Sequence, residues 1–158
     1  MKLYYSPGAC SLSPHIVACE AELLVELVKV DLKSKRTESG EDFRLINPDG
    51  YVPVLIFDDG KKLTEGPAII QYLADQAPAK NLAPLGGTFE RYQLQQWLNF
   101  ISTEIHKGGF APLFNPATPE AAKQLATDTL TLRLKSVAQQ LSTNAENLGS
   151  GASRSEDF

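Results

Sequence analysis

Residues 2–31 run strand, helix, strand with almost no connecting chain, and that order leaves few folds open. Lys2 to Tyr5 reads as a short strand halted at Pro7-Gly8. A helix from Ser11 to Leu24 follows, with Pro14 tolerated because it falls in the first turn. Ile16, Cys19 and Leu23 recur at helical spacing, which predicts a buried face and makes Cys19 a core residue. Val25, Leu27, Val28 and Val30 form a second strand ending at Asp31. Two strands joined by one helix over so short a span predict a right-handed crossover with the strands parallel.

Beyond it, a polar, lysine-rich loop spans 33–40, and a short helix around 42–46 ends at Asn47-Pro48. Val52 to Phe57 and Lys61 to Thr64 are strands joined through Asp58-Asp59-Gly60, a strong hairpin signal. Pro67 at the first helical position, with Gly66 as N-cap, opens a helix through Ala77. The order βαβαββα predicts one α/β sandwich on a mixed four-stranded sheet, over residues 1–78. Pro and Gly concentrate in 79–87, which reads as a linker. Over 88–143 the period turns helical, at Leu94, Trp97, Leu98, Ile101 and Ile105 and again at Leu130, Leu134, Val137 and Leu141. That region is expected to be all helix, two long antiparallel segments broken near Gly108-Gly109 and Pro116–Pro119. Residues 144–158 lack periodicity and are expected to form a disordered tail.

Composition removes several functions. A formal net charge of −4 argues against constitutive nucleic-acid binding, and the one basic cluster, Lys33, Lys35 and Arg36, is too small for a phosphate-tracking stripe. Two cysteines make no disulfide framework and fit a reducing, cytoplasmic setting. No apolar run approaches the roughly 20 residues a membrane span requires, and Ser6-Pro7-Gly8 interrupts any signal-peptide core. With only His15 and His106, and no Cys/His ligand spacing, a metal site is not expected.

Four places carry candidate chemistry, each with an ordinary alternative. Cys10 stands where a helix begins, where backbone N–H groups favour a thiolate; equally, it reads as a small buried residue at a junction. Val52-Pro53 reads as an edge-strand proline, or as a cis bond that turns the Val52 backbone outward to pair with an extended ligand. Since only ~5–6% of such bonds are cis, trans leads on local sequence. Glu65-Gly66-Pro67 is helix-start chemistry, yet donors around Gly66 and Ala68 suit a carboxylate and Glu65 suits an ammonium, together an amino-acid end. His106-Lys107 near a helix end complements the dipole, and that structural explanation leads on spacing alone.

With these residues in view, the chain resembles a bacterial beta-class glutathione S-transferase. The likeness is carried by Met1 to Ile16, by Asn47-Pro48-Asp49-Gly50-Tyr51-Val52-Pro53, by Leu63 to Leu73 and by Trp97 to Lys107, and extends to about residue 141. It implies a thioredoxin-like N-terminal domain, an all-α C-terminal domain and a homodimer with glutathione in each cleft. Carried over by position, it implies that Cys10 faces the glutathione sulfur, with Tyr5 nearby, and that Lys35 contacts the glycine end. Val52 would pair with the cysteinyl backbone beside a cis Pro53, and Glu65 and Gly66 would hold the γ-glutamyl end. Asn99, Thr103 and His106 would line the cleft, and Lys107 would lie close to the sulfur. The family often has Ser at the position of Gly66.

The activity so implied is conjugation of the glutathione thiolate to hydrophobic electrophiles, with glutathione as co-substrate and no metal. A thiol of pKa ≈ 8.5 is mostly protonated at neutral pH, and lowering it by ~1.5–2 units takes ~2–3 kcal/mol of preferential thiolate stabilisation. Two alternatives stand beside it: thiol–disulfide exchange through Cys10, which has no Cys-x-x-Cys partner, and a non-catalytic glutathione-binding or dimerisation module. The family continues with further helices where this sequence has its Gly/Ser-rich end, so the expectation is a truncated, weakened second domain with exposed apolar surface.

Overall fold

The computed structural model describes the backbone of residues 1–151 and the side chains through residue 143. Two compact units emerge, residues 1–95 and residues 96 onward.

In the first unit, β1 (Lys2–Tyr5), α1 (Leu12–Glu20) and β2 (Glu26–Asp31) form the expected crossover, with β1 and β2 parallel and Leu3 opposite Leu27. The hairpin of β4 (Val54–Ile56) and β5 (Lys62–Thr64) adds antiparallel to the other edge of β1. The sheet has five strands, not four, in the order β3-β2-β1-β4-β5. The extra strand, β3 (Arg36–Thr37), lies inside the stretch expected to be loop. It pairs antiparallel with Val30 and Asp31 across the turn at 32–35, and Arg36 bridges to Asp42 on its other side. The short helix expected at 42–46 is a 3₁₀ turn, Phe43–Leu45, capped by the Asp42 carboxylate accepting from Arg44 N–H.

Strand alternation sorts the core into two layers. On one face Leu3 and Leu55 pack with Ala18 of α1 and with Ile69 and Leu73 of α2 (Gly66–Asp75). On the other, Tyr4, Val30, Val52 and Val54 close on Phe43. Burying each large aliphatic side chain contributes about 1.5–3 kcal/mol. The face of α1 differs from expectation: Pro14 and Ala18 are buried, whereas Ile16 and Cys19 are exposed. Small residues on the inner stripe let α1 and α2 approach closely, so Cys19 is a surface residue rather than core.

Glu65, not Gly66, is the N-cap of α2, at φ +66°. The stretch 79–87 carries no long element and is fastened through Arg91 of α3 (Phe89–Phe100). That guanidinium is buried; it donates to the Pro84 carbonyl at 2.6 Å and makes a two-pronged pair with Asp75. Asp75 holds Arg91 more firmly protonated than an ordinary arginine.

The second unit contains the end of α3, a π-helical segment Ile101–Phe110, the short α4 (Ala111–Phe114) and α5 (Glu120–Gly151). Gly108-Gly109 does not break the chain; it lies within the wide π winding, while Asn115 to Pro119 is the true break. Ile105 and Gly109 are buried along with Ala126 and Leu130 of α5, and Arg133 pairs with Glu104 at 2.9 Å. Leu125, Leu132, Leu134 and Leu141 are exposed, so the helical repeat through Leu134 and Leu141 is not a buried stripe. α5 continues to Gly151, past residue 144, where a disordered tail was expected; residues 152–158 lie outside the described residues. No described helix is long and apolar enough to cross a membrane.

Candidate functional site

Sheet register gathers three of the segments singled out in the sequence at one end. Tyr4 of β1 pairs with Val54 of β4, and Val54 pairs with Thr64 of β5. The chain leaving β1 (Ser6 to Cys10), the chain entering β4 (Val52-Pro53) and the chain leaving β5 (Glu65-Gly66) therefore share one end of the sheet.

The first segment is folded by its own hydrogen bonds. Ser11, fully buried, accepts from the Ser6 N–H at 3.0 Å and donates to the Ser6 carbonyl at 3.1 Å. Ala9 N–H returns to the Ser6 carbonyl, and Leu12 N–H to the Ala9 carbonyl. This closes a tight bend that holds Cys10 just ahead of α1. The Cys10 thiol donates to the Val52 carbonyl at 3.3 Å across 42 residues of sequence, and the residue is exposed. Exposure rules out the buried-junction reading of Cys10. Tyr5, half-buried at the end of β1, has its ring 6.1 Å from that of His15 on α1.

Val52-Pro53 is cis, so the less common of the two readings holds. Gly66 stands over Pro53: a Cβ there would reach Pro53 Cγ at 4.0 Å, ordinary contact, so packing does not demand glycine. One expectation needs correction here. The Ala68 N–H is committed to the Glu65 carbonyl at 3.1 Å and is not left for a ligand. Pro67 has none to give, which leaves the Gly66 N–H as the donor at the helix start. The positive φ of Glu65 is an uncommon conformation for a side-chain-bearing residue, and such strain clusters at binding sites.

Lys35 lies in the turn between β2 and β3, and its ammonium donates to the Gly50 carbonyl at 2.8 Å. Neither Gly50 nor Tyr51 drew attention in the sequence except as part of a longer motif. Asn47, noted in the sequence only as a helix end and as part of that motif, is buried and donates from its amide to the Tyr51 carbonyl at 2.8 Å. The remaining candidates belong to the second unit. Asn99, Thr103, His106 and Lys107 are all exposed, and the Thr103 hydroxyl donates to the Asn99 carbonyl at 2.9 Å. The π winding begins between Asn99 and Thr103 and carries His106 and Lys107, and π segments are frequent at functional sites. Among the described residues no group of His, Cys, Asp or Glu is arranged to hold a metal ion.

Comparison with known proteins agrees with this geometry. Residues 1–75 match the family described as glutathione S-transferase, N-terminal domain. The chain is 49% identical over 141 residues to glutathione S-transferase GstA of Escherichia coli O157:H7, covering 89% of this chain and 70% of that relative. Among solved structures, a ternary complex of BphK, a bacterial GST, superposes with a TM-score of 0.87 at 63% identity, over 90% of this chain and 70% of that one. A sphingomonad glutathione S-transferase complexed with glutathione gives 0.86 at 49% identity, with the same coverage. The family match over residues 1–75 spans the thioredoxin-like sheet that carries Cys10, Val52-Pro53 and Glu65-Gly66, and with a relative 49% identical and covered to 70%, the chain belongs to the glutathione S-transferase family.

Proposed function

We propose that this chain binds glutathione along the Val52 edge and transfers its thiolate to hydrophobic electrophiles. The observation that carries the reading is the Cys10 thiol at 3.3 Å from the Val52 carbonyl, which puts an exposed thiol beside the backbone that leads into β4. An extended tripeptide pairing with Val52 next to Pro53 has its cysteinyl sulfur near Cys10. Its γ-glutamyl end meets the Gly66 N–H and the Glu65 carboxylate, and its glycyl end meets Lys35. The sphingomonad relative, complexed with glutathione, supports the same ligand here.

The chemistry is substitution at carbon. The glutathione sulfur, having released its proton to solvent, forms the new S–C bond, and the leaving group departs with its electron pair. Cys10, its one S–H turned from the Val52 carbonyl, hydrogen-bonds the sulfur, and Tyr5 stands by as a second donor through its hydroxyl. His106 and Lys107 are assigned as further support for the negative sulfur, with Asn99 and Thr103 as polar lining. The electrophile takes the apolar surface of the second unit, where Phe110 and Phe114 stack with ring centres 6.1 Å apart. Homodimerisation and a cytoplasmic setting accompany this reading, on the likeness to the family.

Conjugation of a chromogenic aryl halide tests it. The expected result is glutathione-dependent turnover that falls in Cys10→Ala and His106→Ala, with the thiolate absorbance of bound glutathione shifting to higher pH. Retention on immobilised glutathione without turnover would reduce the chain to a binding module. Reduction of a mixed disulfide without aryl-halide conjugation would favour exchange through the exposed Cys10.

A further inference from the structure

Lys35 is more tightly placed than a surface lysine needs to be. Its backbone is pinned on both sides: its N–H donates to the Asp31 carbonyl and its carbonyl accepts from Phe43 N–H, each at 2.8 Å. It sits at φ +57°, an uncommon conformation for a residue with a side chain. From there the stem crosses directly over Gly50. A Cβ at Gly50 would meet Lys35 Cδ at 3.2 Å and Cε at 3.3 Å, so a side chain there would push the lysine stem aside by a few tenths of an ångström. Gly50 also adopts φ +66° and donates its N–H to the Asn47 carbonyl at 2.8 Å, closing the turn. The ammonium then rests on the Gly50 carbonyl with the Tyr51 ring centre 5.6 Å away, within cation–π range. None of the ion pairs among the described residues includes Lys35. One of its three donors is used by Gly50, and among the described residues the charge is answered by a carbonyl and a ring.

We propose that Gly50 and Tyr51 are positioning residues that aim the Lys35 ammonium at a ligand carboxylate, making the chain selective for a peptide thiol with a free C-terminal acid. This rests on the glutathione reading above and adds to it the residues that set selectivity at the glycyl end. Gly50 supplies the groove and the carbonyl, Tyr51 supplies the ring that steadies the cation, and Asn47 holds the turn carrying both.

The test is calorimetric binding of glutathione and of its glycyl ethyl ester, whose γ-glutamyl and cysteinyl parts are unchanged. The parent chain is expected to prefer the free acid on the order of tenfold, the range of one charge-assisted hydrogen bond. Gly50→Ala should lower acid binding to the level of the ester while leaving ester binding in place. Tyr51→Leu should erode the preference and Tyr51→Phe, which keeps the ring, should restore it. Lys35→Gln should abolish the preference, and it serves should Gly50→Ala fail to fold. Equal binding of acid and ester by the parent chain would overturn this inference alone, as would equal loss of both ligands in Gly50→Ala. Binding of neither ligand by the folded parent chain would overturn the glutathione reading with it.

Discussion

Gly109→Ala in the π segment sets two opposing effects against each other, and the structure says which wins. Glycine in helical backbone costs roughly 0.5–1 kcal/mol relative to alanine, so on conformational grounds alone the substitution should stabilise. Packing opposes it. A Cβ at Gly109 would lie 2.8 Å from Leu130 Cδ1, 3.2 Å from its Cβ and 3.4 Å from its Cγ. Carbon atoms pack best at about 3.5–4.0 Å, so Leu130 must withdraw along its whole length, not swing one methyl aside. Leu130 is 7% exposed and Ala126, one turn earlier on α5, is 5% exposed, so withdrawal displaces α5. Overpacking of this kind costs about 1–3 kcal/mol, leaving a net loss of about 0–2.5 kcal/mol once the conformational gain is subtracted.

The double variant isolates the packing term. With Leu130→Ala alone, deletion of a buried leucine side chain costs about 2–5 kcal/mol. In that background the Gly109 methyl enters vacated space, and Gly109→Ala should become neutral or stabilising by up to about 1 kcal/mol. The change of sign between backgrounds is the signature of a contact between neighbours. Urea unfolding followed by fluorescence of Trp97, the single tryptophan and a residue of the second unit, reads both effects. A Gly109→Ala effect that is the same in both backgrounds would refute the reasoning.

Other substitutions probe the first unit. Arg91→Met removes a buried guanidinium with three acceptor contacts, but Asp75 is half-exposed and can be rehydrated, so the loss is set below the usual cost of breaking a buried pair, at about 1–3 kcal/mol. Arg91→Lys should not recover it, because an ammonium cannot span Pro84 and both Asp75 oxygens; thermal melting of the three chains checks this. Ser11→Ala leaves the Ser6 N–H and carbonyl without their shared hydroxyl and should cost about 1–3 kcal/mol, with faster amide exchange through residues 6–10; unchanged exchange would count against it. Burial raises the Tyr4 phenol above its ordinary value, so the fold binds that proton more tightly than the unfolded chain does. The resulting stability is complete below the unfolded pKa of about 10 and is lost as pH rises through the folded value, so Tyr4→Phe should flatten the alkaline unfolding profile.

Local chemistry made part of this fold readable. The crossover of β1, α1 and β2 and the hairpin at Asp58-Asp59-Gly60 follow from periodicity and turn residues, which act over a few positions. Other features answer to partners distant in sequence. In α1, Leu12, Ile16 and Cys19 repeat as regularly as Pro14, Ala18 and Ala21, and only the arrival of α2 chooses the small stripe. Arg91 reads as an outward charge until Asp75 and the Pro84 carbonyl answer its donors. At the site, Cys10, Val52-Pro53 and Glu65-Gly66 stood out because each combines an unusual residue with an element boundary. Gly50 did not, since its meaning lies in the stem of Lys35, 15 residues earlier.

That contrast explains how the site is held. Three of its segments are placed by the pairing of Tyr4, Val54 and Thr64. A strand slip of one residue would turn Leu55 from one core layer to the other, so the same apolar burial that stabilises the sheet fixes Cys10, Val52 and Gly66 relative to one another. Lys35 lies outside that constraint, in a turn beyond β2, and is secured instead by contact with Gly50 and Tyr51. On the proposed glutathione reading, selectivity at the glycyl end can therefore change through the 47–51 turn without disturbing the sheet, whereas the sulfur end cannot change without it.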